Sequence, residues 1–196
     1  MRSRHPTAWY VSPWVIFFSV LRTATAFYIL INPVWGFVWS LVFDFLDARV
    51  MLPYVHVNKL SYDMWDKIFD SVTFVAELIV ALTTPYALLM TALFTYRMLG
   101  HAVFWSTKKP RVLVWFPNFF ETVFFWLLIP RSWYAPFDPF TLLFFLCGVK
   151  VVHEVVLHWI WPTYIGRPWQ KQLKRMFAWA PWIATFLSTD YPKDYR

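Results

Sequence analysis

Charge is scarce in this chain. Only 15% of its 196 residues are Asp, Glu, Lys or Arg, while 59% are hydrophobic and 23% aromatic. That balance excludes an ordinary water-soluble domain, whose usage is far more polar. Cysteine is nearly absent: Cys147 stands alone inside an apolar run, which excludes a disulfide framework and a cysteine metal cluster. Acidic residues are also few, 11 against 18 Lys and Arg, for a formal charge of +7. The cations lie between hydrophobic runs rather than on one basic face with stacking aromatics, so no nucleic-acid partner is expected. Missing too are a Walker loop, a dinucleotide fingerprint, a nucleophile elbow and an HExxH pair.

What the chain does have is a series of apolar runs near the ~20 residues that a spanning helix needs. They predict an all-α polytopic membrane bundle, a single domain over 1–196. Combined with helix stop signals, they place six transmembrane helices near 13–31, 34–52, 65–83, 85–104, 112–129 and 140–161. Asn32-Pro33 supplies a tight turn between the first two. Thr84-Pro85 reads as an N-cap with proline at the first helical position, and Pro130 to Pro139 as a proline-rich connection. No small-residue cleavage site precedes the Arg22 interruption, so the first run is expected to remain as an anchor.

This layout places Arg2, Arg4, Arg49, Lys59, Lys67, Lys108, Lys109, Arg111, Arg167, Lys171, Lys174, Arg175, Lys193 and Arg196 on one side of the membrane and only Arg131 on the other. Lys and Arg gather on the cytoplasmic side of membrane proteins, so both termini are expected there. Near 168–180, Trp169, Leu173, Phe177 and Trp179 alternate with Lys171, Lys174 and Arg175, as in a helix lying in the interface. Trp9, Trp14, Trp105, Trp115, Trp161 and Trp169 fall near predicted interfaces as anchors. Membrane lipid is the first expected partner, and a homodimer is compatible with the layout.

Five of the eight aspartates, Asp44, Asp47, Asp63, Asp66 and Asp70, fall within 27 residues. Asp44 and Asp47 are three apart at the end of the second span, and Asp66 and Asp70 are four apart at the start of the third. Each pair shares a helix face. Across the loop from Arg49 to Tyr62 the pairs converge near one cytoplasmic mouth. Four carboxylates held together repel unless some are protonated or a divalent cation sits among them, and oxygen ligands select Mg²⁺, Mn²⁺ or Ca²⁺. His56 and Asn58 lie in the same loop.

At these residues the chain resembles the CDP-alcohol phosphotransferase family, whose motif reads D-x2-D-G-x2-A-R, eight or nine residues, then G-x3-D-x3-D. Asp44-Phe-Leu-Asp47 matches the first pair, Asp66-Lys-Ile-Phe-Asp70 the second, and the 18 residues between Asp47 and Asp66 fit the family spacing. At the non-acidic motif positions stand Ala48, Met51, Leu52 and Tyr62. The resemblance implies a transferase dependent on Mg²⁺ or Mn²⁺, in which an alcohol attacks a CDP-linked lipid or alcohol donor and CMP leaves. It implies Asp44, Asp47, Asp66 and Asp70 as metal ligands, with Asp70 also the general base. Arg49 and Lys67 are candidates for substrate binding beside them.

A second constellation lies deeper in the apolar runs. Arg22, Arg97 and Lys150 fall near mid-membrane, as do Glu77, Glu121 and Glu154, with His158 one turn beyond Glu154. A lone charge at the bilayer centre costs about 2.5–3.5 kcal/mol even on the gentlest scale, so these six are expected to face inward and pair. They fit a polar pocket, an ion or proton relay, or a buried network that fixes helix register. His153 and His158 are five apart, a poor helical spacing for zinc. Two rivals to the transferase stay open: a transporter or ion pathway through the intramembrane charges, and a non-catalytic membrane protein that retains the fold.

Overall fold

The computed structural model describes residues 9–51, 55, 57, 59–133, 135, 138–158, 172, 175, 176, 178 and 179. Among these residues there are six α-helices and no strand: α1 (Pro13–Ile31), α2 (Pro33–Val50), α3 (Lys59–Ala81), α4 (Ala87–Thr107), α5 (Phe119–Leu128) and α6 (Pro139–Val155). Short 3₁₀ segments lie at Trp9–Val11, Pro110–Trp115 and Arg131–Trp133.

Punctuation in the sequence sets most of the ends. Pro13 opens α1 with a ring already fixed for the first turn, after an extended Ser12. Asn32 alone separates α1 from α2: its backbone is extended, and its side chain accepts the Trp35 N–H at 3.2 Å while Pro33 opens α2. α4 ends at Lys108 in the left-handed conformation, φ 55°. Asn118 caps α5 by accepting the Glu121 N–H at 3.2 Å, and Asp138 caps α6 by accepting the Thr141 N–H at 2.8 Å.

The one-residue turn brings α1 and α2 into an antiparallel hairpin closed at Gly36. A Cβ added there would lie 2.5 Å from the Ile29 nitrogen and 2.6 Å from its Cα, which is backbone that cannot swing away. Gly100 is equally tight: a Cβ there would lie 2.5 Å from Phe116 Cβ, an atom that moves only with its backbone. Gly36→Ala and Gly100→Ala are therefore each expected to cost about 1–3 kcal/mol, the range for overpacking. Thermal unfolding of the two variants in detergent checks this.

Among the described residues three helices are long and apolar enough to cross a membrane: Pro13–Ile31, Ala87–Thr107 and Pro139–His158, the last being α6 with its π turn. Six were expected, and the shortfall has physical causes. α2 and α3 have the length but are interrupted by charge, Asp44, Asp47 and Arg49 in one and Asp66, Lys67, Asp70 and Glu77 in the other. The run 112–129 is broken, because Pro117 and Asn118 separate the 3₁₀ segment from a ten-residue α5. Ten residues rise only about 15 Å, half a bilayer core. The expected interfacial helix near 168–180 and both termini lie largely or wholly outside the described residues.

Phe17, Val20, Phe27, Leu88 and Phe144 are exposed on the outer surface, which suits lipid rather than water as solvent. Inside, apolar packing divides into two clusters. One holds Val15, Phe18, Met51, Val57, Tyr62 and Trp65; the other is built on Ala26, Ile29, Phe37, Phe74, Phe120 and Phe124. The buried stripe of α1 runs through both, and between Phe18 and Ala26 it carries Arg22.

Candidate functional site

Helical periodicity delivers polar groups to the gap between these clusters from three helices, one arginine from α1 and two aspartates each from α2 and α3. On α1 the stripe Val15, Phe18, Arg22, Ala26, Ile29 repeats at three and four residues. On α2, Gly36, Ser40 and Asp47 are buried, with Asp44 beside them. On α3, Tyr62, Asp66, Thr73 and Glu77 lie along one face, with Asp70 between.

At the centre is the Arg22 guanidinium, 2% exposed and ion-paired to all four aspartates. Nη1 lies 2.8 Å from Asp47 Oδ2 and 2.6 Å from Asp66 Oδ1; Nη2 lies 3.0 Å from Asp44 Oδ1 and 2.5 Å from Asp70 Oδ1. A planar fork with five N–H donors suits four carboxylates as a point charge would not. The rings of Trp65 and Phe69 face the guanidinium carbon at 5.7 and 6.0 Å. Arg22 thus belongs to the aspartates and not to the deeper charge network, a correction to the sequence reading. The hairpin contains the signal for it. Arg22 is ten residues before Asn32 and Asp44 twelve after, so the two are level across the turn.

Lys67 supplies a second cation, its Nζ donating to Asp66 Oδ2 at 2.6 Å and Asp70 Oδ2 at 2.5 Å. Tyr62 donates its hydroxyl to Asp47 Oδ1, a contact sequence reasoning did not anticipate. Both Asp47 oxygens are therefore engaged, one by Tyr62 and one by Arg22. Asp44 is the outlet to the surface, its side chain 47% exposed. Asp63 pairs instead with Lys59, four residues away. The Arg49 guanidinium sits over the Phe45 ring, 5.0 Å from its centroid. His56 and Asn58 lie outside the described residues.

The donor set fits one divalent cation. Asp44, Asp66 and Asp70 each offer an oxygen, and these atoms lie within 4.8 Å of one another. Asp47 stands outside that triad, which separates it from the other three expected ligands. Four ionised carboxylates against Arg22 and Lys67 leave two negative charges, which one Mg²⁺ or Mn²⁺ would neutralise. The Lys67 ammonium, on a flexible four-carbon stem, bridges Asp66 and Asp70, so a cation bound by these carboxylates would compete with it.

The deeper network assembles from α4, α5 and α6. Lys150 lies 3.3 Å from Glu154 and 3.8 Å from Glu121; Arg97 lies 3.8 Å from Glu154 and donates to the Phe116 carbonyl; His158 Nε2 lies 3.1 Å from Glu154. Asn118 donates to Glu121 at 2.9 Å, and His101 meets the Ser71 hydroxyl at 3.0 Å. Glu77 does not join these pairs, contrary to the expectation that all six charges pair: it is fully buried, and neither carboxyl oxygen has a hydrogen-bond partner among the described residues.

Fold and site together define a helical protein with an apolar exterior and an arginine-centred aspartate cluster. No family model, no curated protein and no solved structure matches the chain.

Proposed function

We propose that the chain is a membrane-embedded, divalent-metal-dependent transferase that moves a phosphatidyl or phospho-alcohol group from a CDP-linked donor to an alcohol, with release of CMP. One observation carries the reading: Asp44, Asp66 and Asp70, from two helices, place ligand oxygens within 4.8 Å of one another, at the mouth marked by half-exposed Asp44. The same aspartates carry the resemblance to the CDP-alcohol phosphotransferases. In this reading α2, α3 and α5 complete a six-helix membrane bundle around α1, α4 and α6, with both termini and the aspartate mouth on the cytoplasmic side.

Mg²⁺ or Mn²⁺ held by Asp44, Asp66 and Asp70 would supply charge neutralisation at a diphosphate. Arg22 holds the carboxylates in register from below. Lys67 masks Asp66 and Asp70 until a cation or anionic donor draws it away. Asp70, once released from Lys67, is the carboxylate to accept the alcohol proton. Asp47 positions the cluster through Arg22 and Tyr62.

A second reading, a non-catalytic membrane protein built on the same cluster, is favoured by Tyr62, whose buried ring fills a position that is glycine in the family motif. Purified full-length protein in lipid nanodiscs, given CDP-diacylglycerol, Mn²⁺ and a panel of alcohols, separates the two. The transferase releases CMP, binds one Mn²⁺ per chain by electron paramagnetic resonance titration, and stops on chelation. Absence of both CMP release and CDP-lipid binding would leave the non-catalytic reading standing.

A further inference from the structure

We propose that Glu77, Thr73 and Glu121 form a second cation site inside the helical bundle, separate from the aspartate cluster and selective for a monovalent alkali cation such as Na⁺. Glu77 is fully buried, and Oε1 and Oε2 both lack a hydrogen-bond partner among the described residues. Thr73, one turn back on the same face of α3, is also buried, and its Oγ1 is likewise without a partner. Three orphaned oxygens thus line one stripe of a helix. Unmatched polar groups in such surroundings cost far more than matched ones, so they mark a place where something else supplies the match.

Charge decides what that is. α3 packs against α4 and α5 here, and the ionisable groups that act on Glu77 are Asp70 on α3 and Glu121 on α5, while Arg97, Lys150, Glu154 and His158 form their own network. Arg97 and Lys150 are matched by Glu154 and Glu121 through ion pairs of 3.3–3.8 Å. The acidic groups within electrostatic reach of Glu77 are Glu121 and Asp70, and no cation pairs with Glu77 among the described residues. With Asp70 counted in the aspartate cluster, the three carboxylates of Glu77, Glu121 and Glu154 outnumber the cations Arg97 and Lys150 by one. A divalent ion would leave a buried positive charge in its place, whereas a single positive charge closes the balance. Carboxylate and hydroxyl oxygens are hard donors, which select an alkali cation over a soft metal. Glu121, held by Asn118 and Lys150, is the acidic group on α5, which packs against α3, within electrostatic reach of Glu77.

Equilibrium binding of ²²Na⁺ to the full-length protein in nanodiscs, with choline holding ionic strength constant, tests the site. The expected result is saturable binding near one ion per chain, lost at least tenfold in Glu77→Gln, weakened in Thr73→Val and retained in Asp44→Asn, which alters only the aspartate cluster. Glu77→Asp keeps the charge on a shorter arm and is expected to bind more weakly without loss of fold, so the test survives if Glu77→Gln misfolds. Binding that is indifferent to Glu77 and Thr73 overturns the proposal. So does an infrared band of a protonated carboxyl that Glu77→Gln removes and Na⁺ leaves unchanged, because Glu77 would then hold a proton and no alkali ion.

Discussion

Asp70→Asn is expected, on the transferase reading proposed above, to lower metal-dependent CMP release by roughly 10²–10⁴-fold, the range for loss of a positioned general base. The substitution keeps the size of the side chain and one acceptor for Arg22 Nη2, so the cluster should still assemble. What goes is the basic oxygen now held by Lys67 at 2.5 Å. The loss should fall on kcat more than on the KM for the alcohol, since Asn occupies the same space. Asp63→Asn is the control: its carboxylate pairs with Lys59 outside the cluster, and its activity should match the unsubstituted protein. An Asp70→Asn protein that releases CMP at the normal rate would remove Asp70 from the chemistry.

The largest effect on stability is expected at Arg22. Arg22→Leu leaves Asp47 and Asp66 buried with their shared cation gone, and breaking a buried ion pair from one side typically costs about 3–5 kcal/mol. Arg22→Gln should be less severe, because an amide still donates. It should also gain more from metal than the unsubstituted protein does: with only Lys67 opposing four carboxylates, added Mn²⁺ should restore much of the lost stability. A ligand that binds only the folded state stabilises it by about 2.7 kcal/mol at one hundred times its dissociation constant. Denaturation midpoints with Mn²⁺ and with chelator give the comparison. Equal midpoints for Arg22→Gln and the unsubstituted protein in chelator would show that the guanidinium is not what reconciles the aspartates.

Much of this arrangement was legible in the sequence, and its failures follow a pattern. The limits of α1 come directly from Pro13 and the Asn32-Pro33 turn, because proline fixes a helix start whatever the surroundings. The aspartate pairs were placed on shared faces by their spacing alone. The 112–129 run was misread because counting apolar residues passes over Pro117 and Asn118, although Asn118 is a good N-cap and Glu121 follows three residues later. Thr84 likewise turned out to serve the turn after α3, accepting the Tyr86 N–H at 3.2 Å, and α4 begins two residues beyond the expected point. Depth alone groups Arg22 with the wrong set of charges. Its true partners depend on how two hairpin arms and a third helix align, which is tertiary information. Glu77 fails in the opposite sense: composition predicts that every intramembrane charge finds a mate, and only three-dimensional packing reveals the one that does not.

The level pairing of Arg22 with Asp44 and Asp47 across a one-residue turn also bears on how such a chain is made. A helix bearing a bare guanidinium at its midpoint is a poor candidate to leave the aqueous channel of an insertion machine by itself. The α1–α2 hairpin, however, carries its own counter-ions, and α3 follows with Lys67 already matched to Asp66 and Asp70. Each piece would therefore enter lipid with much of its charge cancelled internally. With α3 against the hairpin those pairs are all kept, and Asp66 and Asp70 gain Arg22 as a second cation, so the most polar point of the molecule is where its two separately balanced pieces meet.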